Sequence, residues 1–153
     1  MIRWLAFSAL LAALDQLSKF AITRLLAYGN NVEVAPFLNL VLVYNPGAAF
    51  SFLSDASGWQ RGLFIAIAVI ASVWVVWLMR RNTRQTLFCF ALSLILGGAV
   101  GNVIDRVRFG AVVDFLDFHA AGYHWPAFNV ADSAITCGAL LLIWDTLRPR
   151  KKA

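Results

Sequence analysis

The stretch TLFCFALSLILGGAVGNVIDR, residues 86–106, is apolar for most of its length and carries charged side chains only at its end. A bilayer core about 30 Å thick requires about 20 helical residues, so this run predicts a transmembrane helix. Three further apolar runs of helical length cover about 2–26, 59–79 and 129–147. The sequence therefore predicts four membrane spans.

The composition agrees with a membrane location. Of the 153 residues, 61% are hydrophobic and only 14% are charged, whereas a soluble domain has about 45–50% apolar and about 25% charged residues. The net charge of +5 could indicate nucleic-acid binding, but the basic residues flank the apolar runs in short clusters, as in membrane proteins. These are Arg3, Arg80, Arg81, Arg84, Arg148, Arg150, Lys151 and Lys152. We therefore expect no nucleic-acid partner.

The basic clusters also predict the orientation. They hold eight of the thirteen Lys and Arg residues, so the positive-inside rule places both termini in the cytoplasm. The outer face then receives two loops, at about 27–58 and 107–128. Strand-forming residues at 37–53 surround Asn45-Pro46-Gly47, which suits a type II turn. The predicted fold is an all-α membrane protein, one domain over 1–153, with four transmembrane helices and a small extracytoplasmic β element.

Three polar side chains on different spans lie at similar depth. A helix rises about 1.5 Å per residue, which puts Asp15 roughly 18 Å beyond Arg3. Asn102 lies roughly 27 Å from Arg84, and Asp132 roughly 24 Å from Arg148. All three positions fall in the outer half of the membrane, close to the outer loops.

The first and third spans carry further polar pairs with two interpretations each. Asp15 and Lys19 stand at i,i+4 and form either a neutralised pair that stabilises helix packing or a support for a site. Asp105 and Arg106 either pair at the interface or hold substrate backbone or a lipid headgroup. Gly97 and Gly101 have the spacing that lets membrane helices approach closely.

Two carboxylates beside the apolar spans, Asp114 and Asp132, suggest a catalytic site. Ionisable groups in membrane segments tend to mark function, and two converging carboxylates can act as an acid/base pair on water, as in aspartic proteases. Asn129 fits a helix N-cap with Asp132 in the first turn, so capping alone is another interpretation. A proton-coupled transporter subunit and a non-enzymatic scaffold also remain open.

The other candidate reactive residues predict no additional site. Cys89 and Cys137 lie inside apolar runs and are interpreted as core residues. Four further residues look solvated or interfacial and lack metal-ligand spacing: Asp117, His119, His124 and Asp145. We therefore expect no metal and no cofactor.

Five motifs occur in an order that resembles the lipoprotein signal peptidases (signal peptidase II), and together they cover nearly the whole chain. They are Asp15-x-x-x-Lys19, Asn45-x-Gly47-x-Ala49-Phe50, Gly98-x-x-Gly101-Asn102-x-x-Asp105-Arg106, Val113-Asp114-Phe115 and Phe128-Asn129-x-Ala131-Asp132.

The resemblance implies a bacterial inner-membrane aspartic endopeptidase that removes the signal peptide of prolipoproteins before a diacylglyceryl-modified cysteine. It implies Asp114 and Asp132 as the catalytic pair and places the active site towards the outer leaflet. Substrate positioning falls to Asn45, Gly47, Asn102, Arg106 and Asn129, and site support to Asp15, Lys19 and Asp105. The expected partners are lipidated prolipoproteins and membrane lipid, and we expect a monomer.

Overall fold

The computed structural model describes residues 1–47 and 59–148. It contains four helices: α1 (Ile2–Leu25), α2 (Trp59–Arg81), α3 (Thr86–Phe109) and α4 (Val130–Leu147). Four strands lie between them: β1 (Asn31–Ala35), β2 (Leu38–Asn45), β3 (Val112–Ala120) and β4 (Tyr123–His124). All four helices are long and apolar enough to cross a membrane. The predicted fold class is confirmed.

Helix α3 packs against each of the other three helices, and its glycines make this possible. A Cβ atom at Gly97 would lie 2.8 Å from the backbone oxygen of Ser8 on α1. At Gly98 a Cβ would collide with the backbone oxygen of Ala131 on α4. Small residues permit such backbone approach in membranes, where packing replaces the hydrophobic effect between helices.

The extramembrane strands form one antiparallel sheet in the order β1-β2-β3-β4. Strand β2 belongs to the first predicted outer loop and β3 to the second, so their pairing joins the two loops. In that pairing Val43 lies opposite Asp114, and Asn45 opposite Val112. The sheet thus brings Asn45 and Asp114 to the same end of adjacent strands.

The predicted β element is present at β2, whereas β3 was not predicted, because 107–128 was interpreted as an outer loop. The strand-forming composition of 112–118, rich in Val and Phe, is the signal that could have identified it. The remaining part of the predicted element, 48–53, including Ala49 and Phe50 of the second motif, lies outside the described residues.

Three predictions about individual side chains are wrong. Cys137 is exposed on the membrane-spanning surface, because an apolar run alone does not separate a lipid-facing side from a packed one. Asp117 is buried, and Asn39 donates a hydrogen bond to its carboxylate over 3.0 Å. Asp145 is also buried and pairs with Arg148 at 2.9 Å.

Candidate active site

Asp114 lies on β3 and is only 2% exposed. Two amides donate hydrogen bonds to its carboxylate: Asn129 Nδ2 to Oδ1 over 2.7 Å and Asn45 Nδ2 to Oδ2 over 2.9 Å. Asn45 comes from the neighbouring strand and Asn129 from the start of α4. The carboxylate is therefore fixed from two elements at once.

Asp132 lies in the first turn of α4 and is half-buried. Asn129 caps this helix, since its side-chain oxygen accepts a hydrogen bond from the Asp132 backbone N–H over 2.9 Å. Asn102 Nδ2 of α3 donates to Asp132 Oδ1 over 2.8 Å. Capping thus accounts for the Asp132 backbone, while its carboxylate is held by a separate contact.

Asn129 connects the two aspartates. Its amide nitrogen reaches Asp114 and its amide oxygen holds the backbone of Asp132, while the side chain itself is fully buried. The same amide nitrogen lies 3.3 Å from Asn102 Oδ1. Asn102 and Asn129 were predicted to contact substrate; in the structure their amide nitrogens donate to Asp132 and Asp114 respectively.

The electrostatics distinguish Asp114 from an ordinary carboxyl group. Burial raises its pKa to about 6, and the nearby Asp132 charge adds to this, while the hydrogen bonds from Asn45 and Asn129 partly offset it. Desolvation and a like charge both disfavour ionisation. Asp114 therefore keeps a proton to higher pH than an exposed aspartate does.

A buried ionic cluster lies behind Asn102. Lys19 pairs with Asp15 at 2.8 Å, as the i,i+4 spacing predicted, and with Asp105 at 2.7 Å. Lys19 Nζ also donates to Asn102 Oδ1 over 3.0 Å. Since an amide has one oxygen and one nitrogen, this contact directs the Asn102 nitrogen towards Asp132.

The two carboxylates of the cluster also fix the backbone around the site. Asp15 Oδ1 accepts a hydrogen bond from Ala131 N–H over 2.9 Å, and Asp105 Oδ2 one from Val113 N–H over 3.2 Å. These residues adjoin Asp132 and Asp114. Asp105 is fully buried, so it lies neither at the membrane interface nor in contact with substrate.

Gln16 belongs to this cluster and was missed by the sequence analysis. Its side-chain nitrogen donates to Asp105 Oδ1 over 2.8 Å and to the backbone oxygen of Gly101 over 3.1 Å. A glutamine beside Asp15 at this depth was a usable signal, because a polar side chain in a membrane span needs a partner.

The two aspartates line a cavity of about 610 Å³. Asn45 and Gly47 border it from the sheet, and Arg106 from α3. The Arg106 guanidinium lies 5.2 Å from the ring centre of Phe64. Gly47 has a φ of 105° and donates its N–H to Asn45 Oδ1 over 2.9 Å. This positive φ suits the predicted turn position of Gly47, and a side chain there would collide with Phe64.

Two carboxylates on one cavity, one of them with a raised pKa, can divide acid and base roles between them. Residues 1–47 and 59–148 contain no group of three or more His, Cys, Asp or Glu side chains placed to hold a metal ion.

Comparison with known proteins decides the family. The family model for signal peptidase (SPase) II matches residues 7–148. The chain belongs to the signal peptidase II family. A lipoprotein signal peptidase of Cupriavidus necator is 62% identical over 95% of this chain and 83% of its own length. One from a Janthinobacterium strain is 56% identical over 97% of this chain and 90% of its own.

A solved bacterial membrane enzyme has the same fold, with a TM-score of 0.86 and 34% identity over 98% of this chain and 96% of its own. The chain is thus a multi-pass bacterial membrane protein and a peptidase of the signal peptidase II family, a family of aspartic class. Nothing among the relatives supports the transporter interpretation.

Proposed function

We propose that this chain removes the signal peptide from prolipoproteins, cutting before a cysteine that carries diacylglycerol, with Asp114 and Asp132 as the catalytic pair. The observation that carries the proposal is that one buried side chain, Asn129, contacts both aspartates beside one cavity. The relatives named lipoprotein signal peptidase support the substrate class.

The two aspartates have different roles in this mechanism. Asp132 takes a proton from a water molecule as the water oxygen attacks the scissile carbonyl carbon, and Asp114 donates its proton to the carbonyl oxygen. When the C–N bond breaks, the leaving amine takes the proton from Asp132, and Asp114 recovers its own. The raised pKa of Asp114 supports its role as the proton holder, which leaves Asp132 as the base.

The remaining site residues divide into two groups. Asn45, Gly47 and Arg106 border the cavity and position the substrate. The others act through the aspartates: Asn102 and Asn129 hold them, and Asp15, Lys19 and Asp105 fix Asn102 and the adjoining backbone. The site as proposed uses groups of one chain, and we propose that the enzyme acts as a monomer surrounded by membrane lipid.

The lipid on the substrate sets the depth of the scissile bond. With both termini in the cytoplasm, the orientation that the basic clusters favour, the dyad lies near the outer leaflet. Each buried methylene stabilises by about 0.8 kcal/mol, so two acyl chains can dominate productive binding. A reporter enzyme that is active only in the cytoplasm, fused to the carboxyl terminus, tests this orientation.

The deciding experiment compares cleavage of a diacylglyceryl-modified precursor and the same precursor without lipid, using the purified enzyme. We expect turnover of the lipidated form, steep weakening as the acyl chains are shortened, and little effect of changes far upstream of the cysteine. The Asp114→Asn variant, purified in parallel, controls for contaminating proteases. Equal cleavage of both precursors would refute the lipid requirement, and no cleavage of either would refute the peptidase assignment.

A further inference from the structure

A second cavity, of about 190 Å³, lies between the outer ends of α1 and α3. Its walls include Lys19, Arg24, Asp105 and Arg108, and it shares no lining residue with the cavity of the aspartates. Lys19 and Asp105 are buried and paired with each other, whereas Arg24 and Arg108 are exposed. The proposed peptidase mechanism makes no use of it.

The two arginines of this cavity have no acidic partner. Within residues 1–47 and 59–148, neither Arg24 nor Arg108 forms an ion pair or a side-chain hydrogen bond. Arg148, in contrast, pairs with Asp145 at 2.9 Å. Lys19 already has two carboxylate partners, so the uncompensated positive charge of the cavity is that of the two arginines.

Aromatic rings hold both guanidinium groups in place. Arg24 lies 5.2 Å from the ring centre of Phe20, and Arg108 lies 5.0 Å from that of Phe109. Both rings are about half exposed on the surface of membrane-spanning helices. The cavity thus has two cations beside an apolar surface that faces the lipid chains.

Arginine and phosphate have matching geometry, since a planar guanidinium donates two parallel hydrogen bonds to phosphate oxygens. Arg24 and Arg108 lie in the last turns of α1 and α3, at the level where a bilayer carries its headgroups. We propose that Arg24 and Arg108 bind the phosphodiester of an anionic phospholipid, whose acyl chains lie along Phe20 and Phe109. This site is independent of the proposed peptidase function.

A purely structural role of Arg24 and Arg108 predicts a different effect of their loss on stability. Basic side chains in the last turn of a helix interact favourably with its dipole. Their loss would then lower stability equally in every lipid, with no preference for an anionic headgroup.

The test measures lipid binding to the purified full-length chain in a neutral detergent. The probes are short-chain phosphatidylglycerol, phosphatidylcholine of the same chain length, and inorganic phosphate. Binding is followed by the shift of the thermal unfolding midpoint during titration and by counting retained lipids with native mass spectrometry. We expect saturable binding of phosphatidylglycerol, with a weaker response to phosphatidylcholine and to phosphate.

The variants Arg24→Gln and Arg108→Gln each weaken phosphatidylglycerol binding by about tenfold, the scale of one charge-assisted hydrogen bond. The double variant abolishes the preference, and Arg24→Lys/Arg108→Lys retains part of it. A matched control, Arg81→Gln/Arg84→Gln, removes the same charge from the opposite ends of the helices and leaves binding unchanged.

Three results would overturn the proposal. Undiminished phosphatidylglycerol binding in both single variants removes the site from these arginines. An equal response of the native chain to phosphatidylglycerol and phosphatidylcholine indicates the dipole role instead. Saturation by inorganic phosphate at the same concentration indicates a general anion site rather than a lipid site. The single variants and the native chain decide the matter even where the double variant does not fold.

Discussion

The two carboxylates of the proposed dyad are held by different kinds of structure. Asp132 belongs to a transmembrane helix and is fixed by a chain of polar contacts that runs through Asn102 and Lys19 inside the helical bundle. Asp114 belongs to a strand outside the bundle and is fixed from a neighbouring strand and from the start of α4. In the helical part, which we call the frame, the buried charges of Asp15, Lys19 and Asp105 are all paired. The sheet places the second carboxylate beside this frame.

This difference separates residues that maintain the fold from residues that perform chemistry. In the frame, every charge of the Asp15, Lys19 and Asp105 cluster has a partner and is buried. At the cavity, Asp132 is half-buried and Asp114 has a raised pKa. Substitutions in the frame should therefore act first on stability, and substitutions at the cavity first on turnover.

The largest expected effect is on turnover, from Asp114→Asn and Asp132→Asn. An amide cannot transfer the required protons, so each variant should lose at least about 10³-fold in kcat, within the range expected for general acid–base groups. Turnover of a diacylglyceryl-modified precursor is measured with each purified variant. Both variants should still insert. Asp132→Asn should unfold near the native temperature, because its amide oxygen still accepts from Asn102, whereas Asp114→Asn keeps only one of its two amide hydrogen bonds and should unfold at a somewhat lower temperature.

Substantial turnover in either asparagine variant would remove that residue from the catalytic pair. A large loss of stability in the Asp132→Asn variant would mean that the Asp132 carboxylate maintains the fold, as the Asp15, Lys19 and Asp105 cluster does. Asp132 would then belong to the frame and not to the residues that perform chemistry at the cavity.

The next effect is on stability, from Lys19→Met. Removing this cation leaves two buried carboxylates without a partner, and breaking a buried ion pair in this way costs about 3–5 kcal/mol in the free energy of unfolding. The triple variant Lys19→Met/Asp15→Asn/Asp105→Asn should recover most of the loss. Chemical unfolding in detergent measures both.

The single exchange Asp15→Asn in the Lys19→Met background provides the matched comparison. Because Lys19 has two carboxylate partners, this double variant should recover only part of the stability. Full recovery would mean that Asp105 does not depend on Lys19.

The helical frame was largely predictable from the sequence, because span length, glycine spacing and depth are local properties of a helix. The Asp15–Lys19 pair and the level of Asn102 follow from 1.5 Å per residue. The second partner of Lys19 was not predictable, since helix rotation decides whether Asp105 faces α1. Asp114 was identified as a candidate, but its strand and its contact with Asn45 depend on pairing between two loops far apart in sequence, which local patterns do not determine.

The third effect is a shift in pH dependence, from Asn45→Ala. With the pKa of Asp114 at about 6, the proton needed by the reaction is lost as the pH rises through that value. The kcat/KM of the native enzyme should therefore fall on the alkaline side of about pH 6. Removing Asn45 deletes a hydrogen bond that favours the ionised carboxylate, so this descending limb should move to higher pH.

The pH profile of kcat/KM reports the free enzyme and is recorded for both proteins with the same precursor. An unchanged descending limb, or one moved to lower pH, would assign the alkaline titration to a group other than Asp114.

The smallest effect is expected at Asp117, which matches Asp114 as a buried aspartate on the same strand. The two lie three residues apart, an odd offset that directs their side chains to opposite faces of β3. Asn39 and His124 donate hydrogen bonds to Asp117, and although burial opposes ionisation, these contacts lower its pKa. Asp117→Asn should leave turnover within about threefold and lower stability by under about 1.5 kcal/mol, the range of a single hydrogen bond.

The stability loss in Asp117→Asn should depend on pH, and the lowered pKa of Asp117 determines the direction of that dependence. A carboxyl group whose pKa is lowered by folding stabilises the protein above its unfolded value of 3.8, and the contribution disappears as the pH falls through the folded value. Thermal unfolding of native and Asp117→Asn protein should therefore differ at neutral pH and converge in acid. If Asp117→Asn instead reduced turnover as far as Asp114→Asn, the chemistry would extend along the strand, and the sheet would supply more than one reacting carboxylate.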